Sequence, residues 1–244
     1  MSRDLPQISP LGDNAILVQF EQIISEELLN KVLYYRNLIQ QIYIEQKVEV
    51  INTYNSILIN YFVTIEDVYS DVEAIKKVFD QYNDTKNIES SIFEIPVCYD
   101  LNFGVDLEFI AKEKNLEISE IISLHIQPEY RVYFMGFLPG FLYLGGLDEK
   151  LHISRKSQPR MKIEKGAVGI GENQTGIYPK VSPGGWQIIG NCPLNFFDNK
   201  REYPSLISAG DYIKFKSVDR EEYDRIKQQV EQGNFQLKKQ DRNG

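Results

Sequence analysis

The chain has 244 residues, 42% of them aliphatic, aromatic or sulfur-bearing, enough for one large domain or two small ones without disulfide or metal staples. Thirty-five acidic residues against 27 basic ones give a formal charge of −8, which argues against nucleic acid or an anionic membrane as the main partner, since both reward a basic face. Cys98 and Cys192 stand apart, no CxxC pair exists and the only histidines are His125 and His152, so buried reduced thiols and no metal site are expected. The Met-Ser-Arg-Asp-Leu-Pro start has no apolar leader and no run approaches the ~18 apolar residues of a membrane span, which predicts a cytoplasmic protein.

Strand and helix patterns alternate through the first hundred residues. Ala15 to Phe20 reads as a strand entered from the turn Gly12-Asp13-Asn14. Ser25 is placed to cap a helix whose first turn carries Glu26 and Glu27 and whose stripe is Leu28, Val32, Tyr35 and Ile39. Val48–Ile51 and Ser56–Tyr61 flank Asn52-Thr53-Tyr54-Asn55, a hairpin pattern. Ser70 and Glu73 make a capping box ahead of Ile75, Phe79 and Tyr82, and Ser91–Val97 is a further strand. The order is βαββαβ, the split βαβ of a ferredoxin-like domain, assigned to residues 1–95.

Two short helices follow, one capped by Asp106 and one by Ser119 and ending at His125. From Tyr130 short β patterns recur between Gly/Pro turns, including Ala167–Ile170, Trp186–Ile189 and Asp211–Phe215, which indicates a barrel or sandwich over residues 96–236. A last helix runs from about Asp219 to Gly233, with Asp219 and Glu222 as a capping box and Gly233 just past its end. Residues 237–244 are polar and are expected to form a disordered tail. The fold class is therefore α+β.

Chemistry is most plausible between Phe134 and Gly190. Three loops dense in glycine, proline and aromatics lie there: Phe137 to Tyr143 with Pro139, Gly140 and Phe141; Gln174-Thr175-Gly176-Ile177-Tyr178-Pro179; and Ser182-Pro183-Gly184-Gly185-Trp186. Such loops let backbone approach a ligand between apolar walls, and they equally suit tight barrel corners packed by aromatics. Arg155, Arg160 and Lys180 flank them and could hold a carboxylate or phosphoryl group. His125 is either an acid or base of neutral pKa or a helix-end histidine facing free carbonyls. Gly171-Glu172-Asn173-Gln174-Thr175-Gly176 has the spacing of a phosphate loop, but Ile177-Tyr178 stands where Lys-Ser/Thr is required. Ser182 and both cysteines lack a base nearby in sequence.

At these loops the chain resembles the 5-oxoprolinase B-subunit family, which also takes in allophanate hydrolase subunit 1 domains and an inhibitor of a sporulation histidine kinase. The matching segments are Tyr130 to Phe141, Tyr143-Leu144-Gly145-Gly146-Leu147, Gln174 to Pro179 and Ser182 to Gly190, within a likeness running from Leu11-Gly12-Asp13 to Gly210-Asp211. Two departures stand out: the first Pro-Arg of the basic segment is Ser154-Arg155, and Gly190-Asn191-Cys192-Pro193 replaces Gly-Arg-Thr-Pro.

The resemblance implies a ferredoxin-like domain followed by a cyclophilin-like β-barrel. It implies partner subunits C and A, with which the chain would open 5-oxo-L-proline to L-glutamate, using ATP at a site shared with a partner. Arg160 and His125 would be catalytic. Phe137, Pro139, Gly140, Phe141, Tyr143, Arg155, Gln174, Thr175, Tyr178, Lys180, Ser182, Gly184, Gly185 and Trp186 would bind substrate or phosphate. The alternatives within the family are inhibition of a histidine kinase, docked through Phe141, Tyr143 and Trp186, and a role related to allophanate hydrolase or urea carboxylase.

Overall fold

The computed structural model describes residues 5–43, 48–80 and 89–242. They divide into two compact units, one ending at Glu89 and the other starting at Ser90.

The first unit holds β1 (Gln7–Pro10), β2 (Ala15–Gln19), α1 (Glu26–Ile42), β3 (Val48–Asn52), β4 (Ser56–Tyr61) and α2 (Val68–Phe79). Its sheet has the order β1-β2-β4-β3, antiparallel throughout. Period-two alternation turns Ile16 and Val18 of β2 and Ile57 and Ile59 of β4 to one face, where they meet Val32, Tyr35 and Ile39 of α1 and Ile75 and Phe79 of α2. Each such side chain contributes roughly 1.5–3 kcal/mol by leaving water. Ser25 caps α1 as expected, its Oγ accepting from Leu28 N at 3.1 Å.

Two expectations are corrected here. The strand foreseen as the sixth ferredoxin-like element, Ser91–Val97, lies in the second unit, and the sheet edge beside β2 is taken by β1. Four residues ending in proline give no alternation to detect, though an edge position tolerates them. α2 starts at Val68 with Asp67 as its cap, accepting from Ser70 N at 3.1 Å, rather than at Ser70. Tyr82 lies outside the described residues.

The second unit contains β5 (Ser90–Cys98), α3 (Leu107–Lys114), α4 (Ile118–Ile126), β6 (Glu129–Met135), β7 (Leu142–Gly145), β8 (Arg160–Ile163), β9 (Ala167–Gly171), β10 (Gln174–Ile177), β11 (Ser182–Gly184), β12 (Gln187–Asn191), β13 (Tyr212–Val218), α5 (Arg220–Glu231) and β14 (Lys239–Arg242). Seven strands close into a barrel in the order β12-β9-β10-β7-β6-β13-β5, sealed where Asn191 of β12 meets Cys98 of β5. The start of that β5 edge is covered by β14, Lys239–Arg242 opposite Phe93–Ser90. The tail read as disordered from its polarity is thus a strand up to Arg242; its pairing partner is about 150 residues away in sequence, where local composition carries no signal. β8 and β11 form a separate two-stranded ribbon. α4 is capped by Glu117 with Glu120 in a reciprocal box, slightly earlier than Ser119 suggests. Asp219 caps α5 and Gly233 follows it at φ 72°.

The barrel interior is apolar, with Val97, Val132, Leu144, Ile170 and Ile213 among its fillers. Inside it lies His125, fully buried and stacked on Phe215 at 4.6 Å. Thr175 Oγ1 donates to Gly169 O at 3.0 Å, so it accepts from His125 Nε2–H at 2.9 Å, leaving Nδ1 to accept from Tyr99 Oη at 2.8 Å. Both nitrogens of a neutral ring are satisfied, and burial pushes the pKa down to about 3. His125 is therefore a core residue, which corrects its expected role as a catalytic acid or base. Because its folded pKa lies below the unfolded value, stability from this group is full above about pH 6.5 and declines with acidification towards pH 3, by up to about 1.4 kcal/mol per pH unit. Urea midpoints measured from pH 7 to 4.5 are expected to fall less steeply in His125→Gln than in the parent; equal slopes would remove His125 as a cause.

Candidate functional site

The three Gly/Pro/aromatic loops converge on the outer wall of the barrel. Phe141, Tyr178 and Trp186 pack with Ile163, Ala167 and Ile188 in a cluster of their own, with Tyr143 against its flank. The rings meet edge-on: Phe141 to Trp186 at 5.4 Å and 86°, Phe141 to Tyr178 at 5.1 Å and 89°. Trp186 can lie flat on the barrel only because a glycine is beneath it. A Cβ on Gly171 would stand 2.6 Å from the indole Nε1. Phe137 overhangs this cluster, reaching Phe141 and Tyr178, with 61% of its surface exposed and an unusual φ of 62°. A left-handed conformation at an exposed aromatic is locally strained, a pattern that recurs at functional loops.

Strand geometry sorts the remaining expected residues. On β10, Thr175 points into the barrel to His125 while its neighbour Gly176 faces Trp186 and Phe141. Gln174 and Ser182 are buried, and Ser182 Oγ has no hydrogen-bond partner among the described residues. Gly184 pairs across the ribbon with Arg160, and a Cβ on it would strike the Tyr178 hydroxyl at 2.4 Å. Burial raises the Tyr178 phenol to about 12, so it stays protonated at neutral pH. Pro139 and Lys180 are exposed, while Gly140, at φ 85°, is buried beside Phe197.

The charged centre is Asp106, whose side chain is 4% exposed. Its carboxylate receives a two-pronged fork from Arg160, Nη1 to Oδ2 at 2.8 Å and Nη2 to Oδ1 at 2.7 Å. It also receives Lys156 Nζ at 3.1 Å and the Ile188 backbone N–H at 2.7 Å. Burial alone would raise this carboxyl, but the donors together outweigh it and hold its pKa below the ordinary aspartate value. β12 bulges against β9 between Ile188 and Gly190. Ile188 donates its N–H to the Asp106 carboxylate while its carbonyl accepts from Asp106 N at 2.9 Å. Gly104 permits this approach, since a Cβ there would lie 2.5 Å from the Ile189 carbonyl oxygen.

Asp106, expected to cap α3, makes no capping bond there with its side chain. Arg160, expected to be catalytic, has its fork filled by Asp106 and acts as an anchor of the 154–160 segment. Sequence reasoning missed Asp106, Lys156 and Gln187. For Asp106 the sequence holds no signal; for Lys156 it was three cations within six residues, which call for a carboxylate nearby.

The same segment is tied down by Lys156 N to Gly185 O at 2.7 Å and by Gln187 Nε2 to Ser154 O at 3.1 Å. It forms one wall of an open cleft of about 700 Å³, with Phe109 and Lys114 of α3 on another wall and Gln187 on its floor. Among the expected site residues, Arg155 lines this cleft, its guanidinium 5.7 Å above the Trp186 ring. The rings of the aromatic cluster do not line the cleft; Arg155 over Trp186 links the two. Among the described residues, no group of three His, Cys, Asp or Glu could hold a metal ion, and no helix is long and apolar enough to cross a membrane. Cys98 and Cys192 are free and buried, with burial raising the Cys192 thiol to about 12.

Residues 6–207 match the family model described as carboxyltransferase domain, subdomain C and D. The chain is 36% identical to the 5-oxoprolinase B subunit of Bacillus subtilis (strain 168), over 91% of this chain and 97% of that one. It is 42% identical to the 5-oxoprolinase B subunit of Escherichia coli O157:H7, over 59% of this chain and 67% of the relative. Among solved structures, TTHA0988 superposes with a TM-score of 0.72 at 29% identity, covering 84% of this chain, which spans only 40% of TTHA0988. Urea carboxylase of Kluyveromyces lactis superposes with a TM-score of 0.78 at 19% identity, over 97% of this chain and 24% of that one, a likeness of fold alone.

Replacing Asp106 by Ala leaves two cations and a backbone N–H without their acceptor, and is expected to lower stability by about 3 kcal/mol. Urea denaturation followed by circular dichroism measures this; a loss below about 1 kcal/mol, the range of an exposed pair, would mean that the clamp is dispensable.

Proposed function

The chain belongs to the family of carboxyltransferase-domain subdomains C and D, and we propose that it is the B subunit of a 5-oxoprolinase, opening 5-oxo-L-proline to L-glutamate with ATP in company with subunits C and A. The observation that carries this is the correspondence with the Bacillus subtilis relative along nearly the whole of both chains. The urea-related sequence relatives are more distant: the urea amidolyase of Lachancea kluyveri is 26% identical over 64% of this chain and only 10% of that one.

The geometry supports a share of a site for this chain. A cyclic amide with a carboxylate needs an apolar wall for its ring and a cation for its charge, and the cleft offers Phe109 beside Lys156, and Arg155 above Trp186. A triphosphate does not fit these residues by themselves. The Arg160 fork is filled by Asp106, and Lys156 is divided between Asp106 and Gln187. We therefore place the phosphates of ATP against a partner subunit, with this chain holding and orienting the lactam and sheltering it from water. The cytoplasm, where ATP and reduced thiols coexist, is the compartment that agrees with this chemistry.

Co-expression with the A and C partners and an assay of ATP-dependent glutamate release tests the proposal. Folded complexes with only background release would overturn it. Arg160→Ala frees Asp106 and loosens the 154–160 segment, so turnover is expected to fall at least tenfold while the complex still assembles on a sizing column.

A further inference from the structure

The cleft has a charge balance opposite to that of the whole molecule. Lys114, Arg155 and Lys156 line it against one carboxylate, Glu113, in a chain of net charge −8. A basic concavity on an acidic protein concentrates small anions, because its field is focused where water is partly excluded. Of the three cations, Lys156 is the one held in place. Its Nζ lies 3.1 Å from Asp106 Oδ1, 3.3 Å from Gln187 Oε1 and 5.5 Å from the Phe109 ring centre, with 27% of its side chain exposed.

An ammonium has three N–H donors. Two are directed at Asp106 and Gln187, and the third remains for the cleft. A lysine on a free stem forfeits rotamer entropy on binding. Here Asp106, Gln187 and the backbone bond from Lys156 N to Gly185 O have already restricted that stem. Asp106 is in turn fixed by Arg160 and Ile188 N–H, so the ammonium is positioned by groups that the ligand never touches.

We infer that Lys156 is the ligand-contacting cation of this cleft, that it receives a compact oxyanion, and that Gln187 and Asp106 are its positioning residues. Resting on the proposed function, the oxyanion is the carboxylate of the lactam substrate, whose ring lies against Phe109. The single charge suits the site, since one donor of Lys156 is available and the charge of Arg160 is spent on Asp106.

The test uses the reconstituted complex, with 5-oxo-L-proline, 2-pyrrolidinone (the same ring without the carboxylate), inorganic phosphate and ATP as probes. Lys156→Gln is expected to raise KM for 5-oxo-L-proline about tenfold or more, the value of one charge-assisted hydrogen bond, with kcat within about threefold and KM for ATP unchanged. Lys156→Arg should recover part of the loss. Gln187→Leu should raise KM in the same direction by less, and Lys112→Gln, an exposed α3 cation away from the cleft, should do nothing. In parallel, Trp186, the chain's only tryptophan, lies beneath the neighbouring Arg155 and reports occupancy by its fluorescence. 5-Oxo-L-proline should titrate that signal in the parent and, in Lys156→Gln, only at concentrations about tenfold or more higher, and 2-pyrrolidinone should titrate neither in the parent's range. An unchanged KM in an active Lys156→Gln complex overturns the inference while leaving the function standing. A complex without turnover overturns the function, and the titration then decides the cleft by itself. Titration by phosphate or ATP in preference to 5-oxo-L-proline overturns the carboxylate assignment.

Discussion

Taking the Asp106 carboxylate out of water costs several kcal/mol unless its oxygens find fixed donors, and meeting that demand organises one side of the barrel wall. The donors come from two places distant in sequence from Asp106: Lys156 and Arg160 of the 154–160 segment, and the backbone of Ile188 in β12. Once these are gathered, the 154–160 segment has one path across the barrel wall. Gly185 and Gln187 then receive its backbone, and Arg155 is left over Trp186. The bulge in β12 and the bare Cα of Gly104 are what allow the carboxylate to arrive.

Around that clamp the barrel wall has two different faces. Inward, His125 is held neutral between Tyr99 and Thr175 among aliphatic side chains. Outward, adjacent residues of the same strands carry the glycines that accept Trp186 and the rings standing edge-on to it. The loops that look like binding elements in the sequence pack their rings against one another in this outer layer. The cleft draws its lining largely from α3 and the 152–158 segment. A site supported by packed rings and strand ends holds its geometry better than one carried on free loops.

This layering explains which features are legible in the sequence. Period and caps identify α1, β2, the hairpin of β3 and β4, and α5, because those signals are local. The aromatic loops are recognisable by density, and their convergence is real. The partner of β5 is not readable: Ser91–Val97 has the same alternation whether it completes the first sheet or lies parallel to β13, as it does. Nor is the fate of Asp106 readable, since an aspartate before a helix looks like a cap until a bulged strand brings Ile188 within 2.7 Å. Arg160 and His125 stand out in the sequence for the chemistry their side chains can do. In each case a neighbour contributed by another part of the chain has already claimed that capacity.

The pairing of β5 has a consequence for how the chain acquires its fold. This strand is completed by residue 98, yet its neighbours are β12, β13 and β14, which begin at residues 187, 212 and 239. On the ribosome both of its edges therefore stay bare until those distant segments are made, and the last of them is covered only by the final strand. Contacts so distant in sequence make closure a late and slow event, with an unpaired strand edge exposed to other nascent chains in the meantime. The charged residues of β14, Lys239, Asp241 and Arg242, then become the outward border of the finished sheet, a composition poorly suited to recruiting a further strand.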